Sequence, residues 1–114
     1  MVDQLITVVE TPGFASLARK LLTDDERQSI AKELAADPTC GDVVVGGSGI
    51  RKVRMAVDGR GKSGGARVIY YYHNPKVPIF LLTLFAKNEK DNLSASEKAA
   101  LAKVSKAIAE KYGE

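Results

Sequence analysis

The apolar positions of this chain change period several times, and each change marks an element. Leu5-Ile6-Thr7-Val8-Val9 is short and rich in β-branched residues, which predicts a first strand. At Thr11-Pro12 a helix opens: Thr11 can cap it, Pro12 suits the first helical position, and Phe14, Leu17 and Leu21 follow at helical spacing. Thr23-Asp24-Asp25-Glu26 is a capping box, in which hydroxyl and carboxylate satisfy free backbone N–H groups. The helix behind it carries Arg27, Ile30, Ala31 and Leu34 and stops at Asp37-Pro38. Two helices with almost no loop between them form a hairpin with one apolar stripe, which a sheet must cover.

That sheet comes next. Val43-Val44-Val45 is a short apolar run ended by Gly46-Gly47-Ser48-Gly49. Residues 50–57 and 66–73 read as strands around a four-glycine loop at 58–65, and after Asn74-Pro75 the segment Ile79 to Ala86 reads as the last strand. The links are too short for helical crossovers, so these strands are expected to be antiparallel. The last two are apolar with little alternation, so both of their faces should be partly covered. Ser94-Ala95-Ser96-Glu97 is a second capping box, and the helix after it places Leu101, Val104, Ile108 and Tyr112 on one face. The expected fold is α+β in the order βααββββα: an N-terminal strand and helical hairpin, an antiparallel-rich sheet of about four strands, and a C-terminal helix. Residues 1–114 read as a single domain.

Composition narrows the class. Of 114 residues, 45% are hydrophobic and 27% charged, as in ordinary globular domains. No apolar run approaches the roughly 20 residues of a membrane helix, and Met1-Val2-Asp3-Gln4 does not begin a signal peptide. Cys40 is the one cysteine; Pro38-Thr39-Cys40-Gly41 puts no base beside it, so it reads as a free thiol. A cytoplasmic protein is expected. The net charge of +3 is unevenly spread. Residues 51–67 hold Arg51, Lys52, Arg54, Arg60, Lys62 and Arg67 against Asp58, a net +5 that leaves −2 on the rest of the chain. A concentrated basic segment on a slightly acidic body points to a polyanion partner.

Gly61-Lys62-Ser63 is not a nucleotide phosphate loop. Position 56 is Ala56 where that motif needs glycine, and a strand follows where it needs a helix. The strand at 50–57 is more informative. Alternation sends Ile50, Lys52, Arg54 and Ala56 to one face, and Arg51, Val53, Met55 and Val57 to the other, which is the better core face. Lys52 and Arg54 then project together about 7 Å apart, close to the spacing of successive RNA phosphates. Arg67 begins the neighbouring strand beside them. Arg60 and Lys62 on the glycine-rich loop, and Arg51 within the same basic segment, are further RNA-binding candidates. Tyr70, Tyr71, Tyr72, Phe80 and Phe85 read mainly as core. His73 is the only histidine, so no His-based metal set exists, and no carboxylates are spaced for paired acid–base work. Chemistry would come from lysine and arginine with a tyrosine or histidine. Phosphodiester transfer suits that set, because cations stabilise the charge gained at phosphorus and the RNA 2′-hydroxyl is the nucleophile.

Three blocks resemble a known family. Gly41-Asp42-Val43-Val44 through Gly49-Ile50-Arg51-Lys52-Val53-Arg54, then Gly61-Lys62-Ser63-Gly64-Gly65-Ala66-Arg67-Val68-Ile69-Tyr70-Tyr71, then Leu81-Leu82-Thr83-Leu84-Phe85-Ala86-Lys87-Asn88-Glu89 with Leu93-Ser94 after it, are similar to the HigB branch of the RelE/ParE toxin superfamily. They come in family order and cover roughly residues 41–94. The resemblance implies a sheet flanked by helices, like microbial ribonucleases in outline. It also implies cleavage of mRNA in the ribosomal A site with no metal or other cofactor, leaving a cyclic phosphate. The implied partners are the ribosome and an antitoxin, often one with a helix-turn-helix. Lys52 and Arg54 look like the two RNA-binding lysines of RelE, and Arg67 looks like its arginine at the start of the next strand. Lys87 and Asn88 fall at a further catalytic pair, where RelE has lysine then arginine. The catalytic tyrosine near the C-terminus of RelE has no counterpart between Tyr72 and Tyr112, which leaves the general base unassigned. Two alternatives stay open at this point: a ParE-type inhibitor of DNA gyrase, and a protein that binds antitoxin without cutting.

Overall fold

The computed structural model describes residues 6–56, 65–87, 90 and 92–112. Along the chain run β1 (Val8–Glu10), α1 (Pro12–Leu21), α2 (Asp24–Ala36), β2 (Asp42–Val43), β3 (Ile50–Met55), β4 (Ala66–Tyr71), β5 (Ile79–Ala86) and α3 (Ala95–Lys111). The expected caps form. Thr11 accepts from the Phe14 N–H at α1, with Pro12 in the first turn, and both capping boxes are reciprocal, Thr23 with Glu26 and Ser94 with Glu97. Thr23→Ala should therefore cost about 1 kcal/mol. A urea midpoint unchanged from wild type would show that the α2 box contributes nothing.

β2 to β5 are antiparallel neighbours, as the short links require. The sheet has five strands rather than about four, in the order β1-β5-β4-β3-β2. The extra edge is β1, which runs parallel to β5, with Val8 opposite Ile79 and Glu10 opposite Leu81. The helical hairpin carries the chain from β1 across the sheet to β2 at the far edge, and the β2–β5 meander then brings β5 back beside β1 in the parallel sense. Thr11 fastens the junction: its N–H donates to the Leu81 carbonyl at 3.1 Å, and its hydroxyl lies 2.9 Å from the same oxygen.

Each face of the sheet has its own core. Under α1 and α2, Phe14, Ala18, Ile30 and Leu34 pack on Met55, Val68, Tyr70, Ile79, Leu81 and Leu84. Under α3, Leu101 and Ile108 pack on Ile50, Ile69, Tyr71, Leu82 and Phe85. With a layer on both sides, β4 and β5 lose polar alternation, as anticipated. The buried face of α3 is rotated from the expected one. Val104 and Tyr112 are each 41% exposed, while Ala102 and Ser105 are buried. Ser105 is tolerated there because its hydroxyl lies 2.9 Å from the Ala102 carbonyl and 3.0 Å from that of Ser48, fastening the 46–49 turn to the helix.

Candidate nucleic-acid interface

Val53 and Met55 face the α1/α2 core and Ile50 faces the α3 core, so alternation puts Lys52 and Arg54 on the α3 side. Arg67 lies on the same side, directly opposite Arg54 in the β3–β4 register and opposite Phe85 in the β4–β5 register. The three cations thus share one surface, Arg54 exposed and the other two half-buried. Directly opposed side chains have Cβ atoms about 5 Å apart, and like charges so placed repel each other. An anion lying across the two would be attracted to both.

Lys87 follows the end of β5, where its N–H donates to the Gly65 carbonyl at 3.1 Å, immediately before β4 begins. Gly65 has φ +80°, and a Cβ on it would stand 2.5 Å from the Met55 carbonyl oxygen. Only glycine fits there, and its turn sets Lys87 near the Arg67 end of β4. Lys90 comes next: its Nζ lies 5.1 Å from the centre of the Phe85 ring and pairs with Glu97 at 2.5 Å. The hydrogen bond from Lys90, helped by the Ser94 N–H, holds the Glu97 carboxyl below the usual range. Lys52 donates to Asn92 Oδ1 at 2.6 Å. The strand reading did not reach Lys90, Asn92 or Lys98. Their roles come from contacts 40 or more residues away for Asn92 and Lys98, which no local pattern announces.

Other candidates fall elsewhere. Arg51 is on the opposite face, donating to the carbonyls of Gly41 at 2.7 Å and Thr39 at 3.4 Å. It ties down the 39–41 loop and does not join Lys52 and Arg54. Strand alternation predicts that face, and only the charge of the segment makes Arg51 an RNA-binding candidate. Arg60, Lys62 and Asn88 lie outside the described residues. His73 follows the far end of β4 from Arg67, with Nδ1 3.0 Å from the Tyr71 hydroxyl. Tyr70 points into the α1/α2 core, donating to the Pro38 carbonyl at 2.8 Å and accepting from the Gly41 N–H at 2.9 Å. Burial pushes it up to about 12, the wrong direction for a base. The Tyr71 hydroxyl is also raised by burial. Among the described residues, no group of three His, Cys, Asp or Glu side chains is placed to hold a metal ion, and no helix is long and apolar enough to cross a membrane.

Comparison with known proteins agrees with this architecture. Residues 6–114 match the family model described as the RelE toxin of the RelE/RelB toxin–antitoxin system. Among solved structures, a mutant of the E. coli toxin RelE in the free state superposes with a TM-score of 0.57 at 19% identity, over 88% of this chain and 96% of that one. At such identity the superposition speaks for the fold, and the family match, running almost the length of the sequence, speaks for descent. This chain belongs to the RelE toxin family of toxin–antitoxin systems.

Proposed function

We propose that this toxin is a metal-independent endoribonuclease of the HigB-like branch, which cuts mRNA in the ribosomal A site and so stops translation in the cytoplasm. Its activity would be held in check by a cognate antitoxin bearing a helix-turn-helix. The observation that carries this reading is the direct opposition of Arg54 and Arg67, with Lys52 two residues along the same face. Lys52 and Arg54 track the backbone, and Arg67 holds the non-bridging oxygens of the scissile phosphate. The 2′-oxygen forms a bond to phosphorus as the bond to the 5′-oxygen breaks, leaving a cyclic phosphate and a 5′-hydroxyl. The 2′ proton leaves to a base, and the departing 5′-oxygen gains one. Lys87, with Asn88 beside it in sequence, supplies the donor for that oxygen. A weak base suffices where the ribosome holds the RNA in line.

A reconstituted translation reaction with mapping of mRNA ends by primer extension tests this directly. Discrete cuts within A-site codons are expected, only when ribosomes are present, together with growth arrest that co-expressed antitoxin relieves. Intact mRNA with blocked DNA supercoiling would make the protein a gyrase inhibitor. Intact mRNA and normal growth, with soluble toxin confirmed, would reduce it to an antitoxin-binding protein.

A further inference from the structure

Beside the cationic surface lies a cleft of about 380 Å³ between β2 and the loop that leads into α3, within the size range of small-ligand sites. Its lining includes Asp42, Val45, Lys52, Asn92, Leu93 and Lys98. We propose that this cleft reads one base of the bound RNA, accepting guanine through Asp42 and rejecting uracil. The proposal rests on the ribonuclease reading and adds to it a determinant of sequence preference.

Position comes first. Asp42 is opposite Lys52 in the β2–β3 register, so the cleft and the cationic surface share Lys52. Lys52 is one two-residue step, about 7 Å, from Arg54. A nucleotide over the cleft is therefore the immediate neighbour of the one whose phosphate crosses Arg54 and Arg67. The walls are fastened. Lys98 Nζ donates to the Val45 carbonyl at 3.1 Å, and Lys52 Nζ to Asn92 Oδ1 at 2.6 Å. Val45, 86% exposed, and Leu93 provide apolar contact for a ring face.

Chemistry then selects the base. A carboxylate repels RNA phosphates, so Asp42 suits a hydrogen-bond donor, and of the donors on RNA only a base edge distinguishes one nucleotide from another. Asp42 is exposed and makes no ion pair within 4 Å among the described residues, which leaves both oxygens available. Guanine offers two adjacent donors, N1–H and N2–H, matching the two oxygens of one carboxylate. Its O6 suits the ammonium of Lys98 and the amide N–H groups of Asn92, whose Oδ1 is already taken by Lys52. Uracil offers a single N3–H flanked by two carbonyl oxygens, which would face the carboxylate. Unpaired bases present these edges freely in single-stranded RNA.

The test is cleavage on ribosomes programmed with codons carrying guanine or uracil at each position, for wild type and Asp42→Asn. Wild type should favour guanine at one position by about tenfold or more in kcat/KM, and the variant should bring that ratio within about threefold. An undiminished preference in Asp42→Asn, or none in wild type, overturns the proposal. A second readout is independent of cleavage: NMR titration of the isolated toxin with guanosine 3′-monophosphate and, separately, uridine 3′-monophosphate. The Val45 methyl and Asn92 amide signals should move with the first and not the second. Such movement without mRNA cleavage would sink the ribonuclease reading and leave the cleft standing. Cleavage with those signals unmoved at millimolar nucleotide and no codon preference would do the reverse.

Discussion

Arg67→Ala should slow saturated, single-turnover cleavage on programmed ribosomes by about 10²–10³-fold, the usual loss for a donor aimed at transition-state charge. Arg67 is the second residue of β4 and stands opposite Arg54 and Phe85, so its backbone is fixed by ladders on both sides. From there a planar guanidinium can hold two phosphate oxygens at once, a geometry lysine does not reproduce. Its contribution grows as phosphorus gains charge, so the loss should appear in the maximal rate more than in the concentration of ribosomes needed. Arg67→Lys should recover only a small part. Lys62→Ala, on the glycine-rich segment, should chiefly weaken salt-sensitive attraction. Equal slowing by Lys62→Ala at saturation would show the division of roles to be wrong. No slowing by Arg67→Ala would move the chemistry toward Lys87 and Asn88.

Removing the Tyr70 hydroxyl should destabilise the fold without touching this surface. Tyr70 is fully buried, and a Cβ on Gly41 would stand 2.8 Å from its oxygen. Tyr70→Phe leaves the Gly41 N–H and the Pro38 carbonyl without that partner, at a cost of about 1–3 kcal/mol. The pH dependence has a definite sign. The folded state keeps the Tyr70 proton up to about 12, against an ordinary value of 10.0, so it binds that proton more tightly than the unfolded chain does. The contribution is complete below pH 10 and is lost as pH rises toward 12. Urea midpoints of wild type and Tyr70→Phe should therefore differ by a constant amount from pH 7 to 9 and converge above pH 10. A gap that persists unchanged to pH 11.5 would contradict the assignment.

Much of this was legible because it is local. Thr23 with Glu26 and Ser94 with Glu97 are bonded three residues apart, so the starts of α2 and α3 could be placed from spacing alone. Lys52 and Arg54 share a face because a strand has period two, and Arg67 joins them because the β3–β4 connection is antiparallel. Other features were hidden for equally physical reasons. Ser105 looks like a surface residue until the Ser48 carbonyl supplies its acceptor from 57 positions away, so apolar spacing alone points the face of α3 through Val104 instead. β1 gives no sign in its own residues that β5 will pair with it in parallel. Asn92 and Asp42 look like ordinary loop polar residues. Only the folded sheet brings them beside Lys52.

The Thr11–Leu81 fastening also orders events in time. Its two residues are 70 positions apart, whereas β3, β4 and β5 follow one another closely along the chain. Closing so long a loop adds only about 0.6 kcal/mol for each doubling of its length, so the finished molecule is scarcely penalised. The order of assembly is another matter: long-range pairings form late. The β2–β5 meander can organise first, with β1 and the helical hairpin docking afterwards. During synthesis from the N-terminus, Phe14, Ala18, Ile30 and Leu34 must wait without their sheet until the residues of β5 have emerged. The nascent chain thus carries its apolar stripe bare for most of its translation, and in native-state hydrogen exchange the amides of Val8 to Thr11 should open before those of β4.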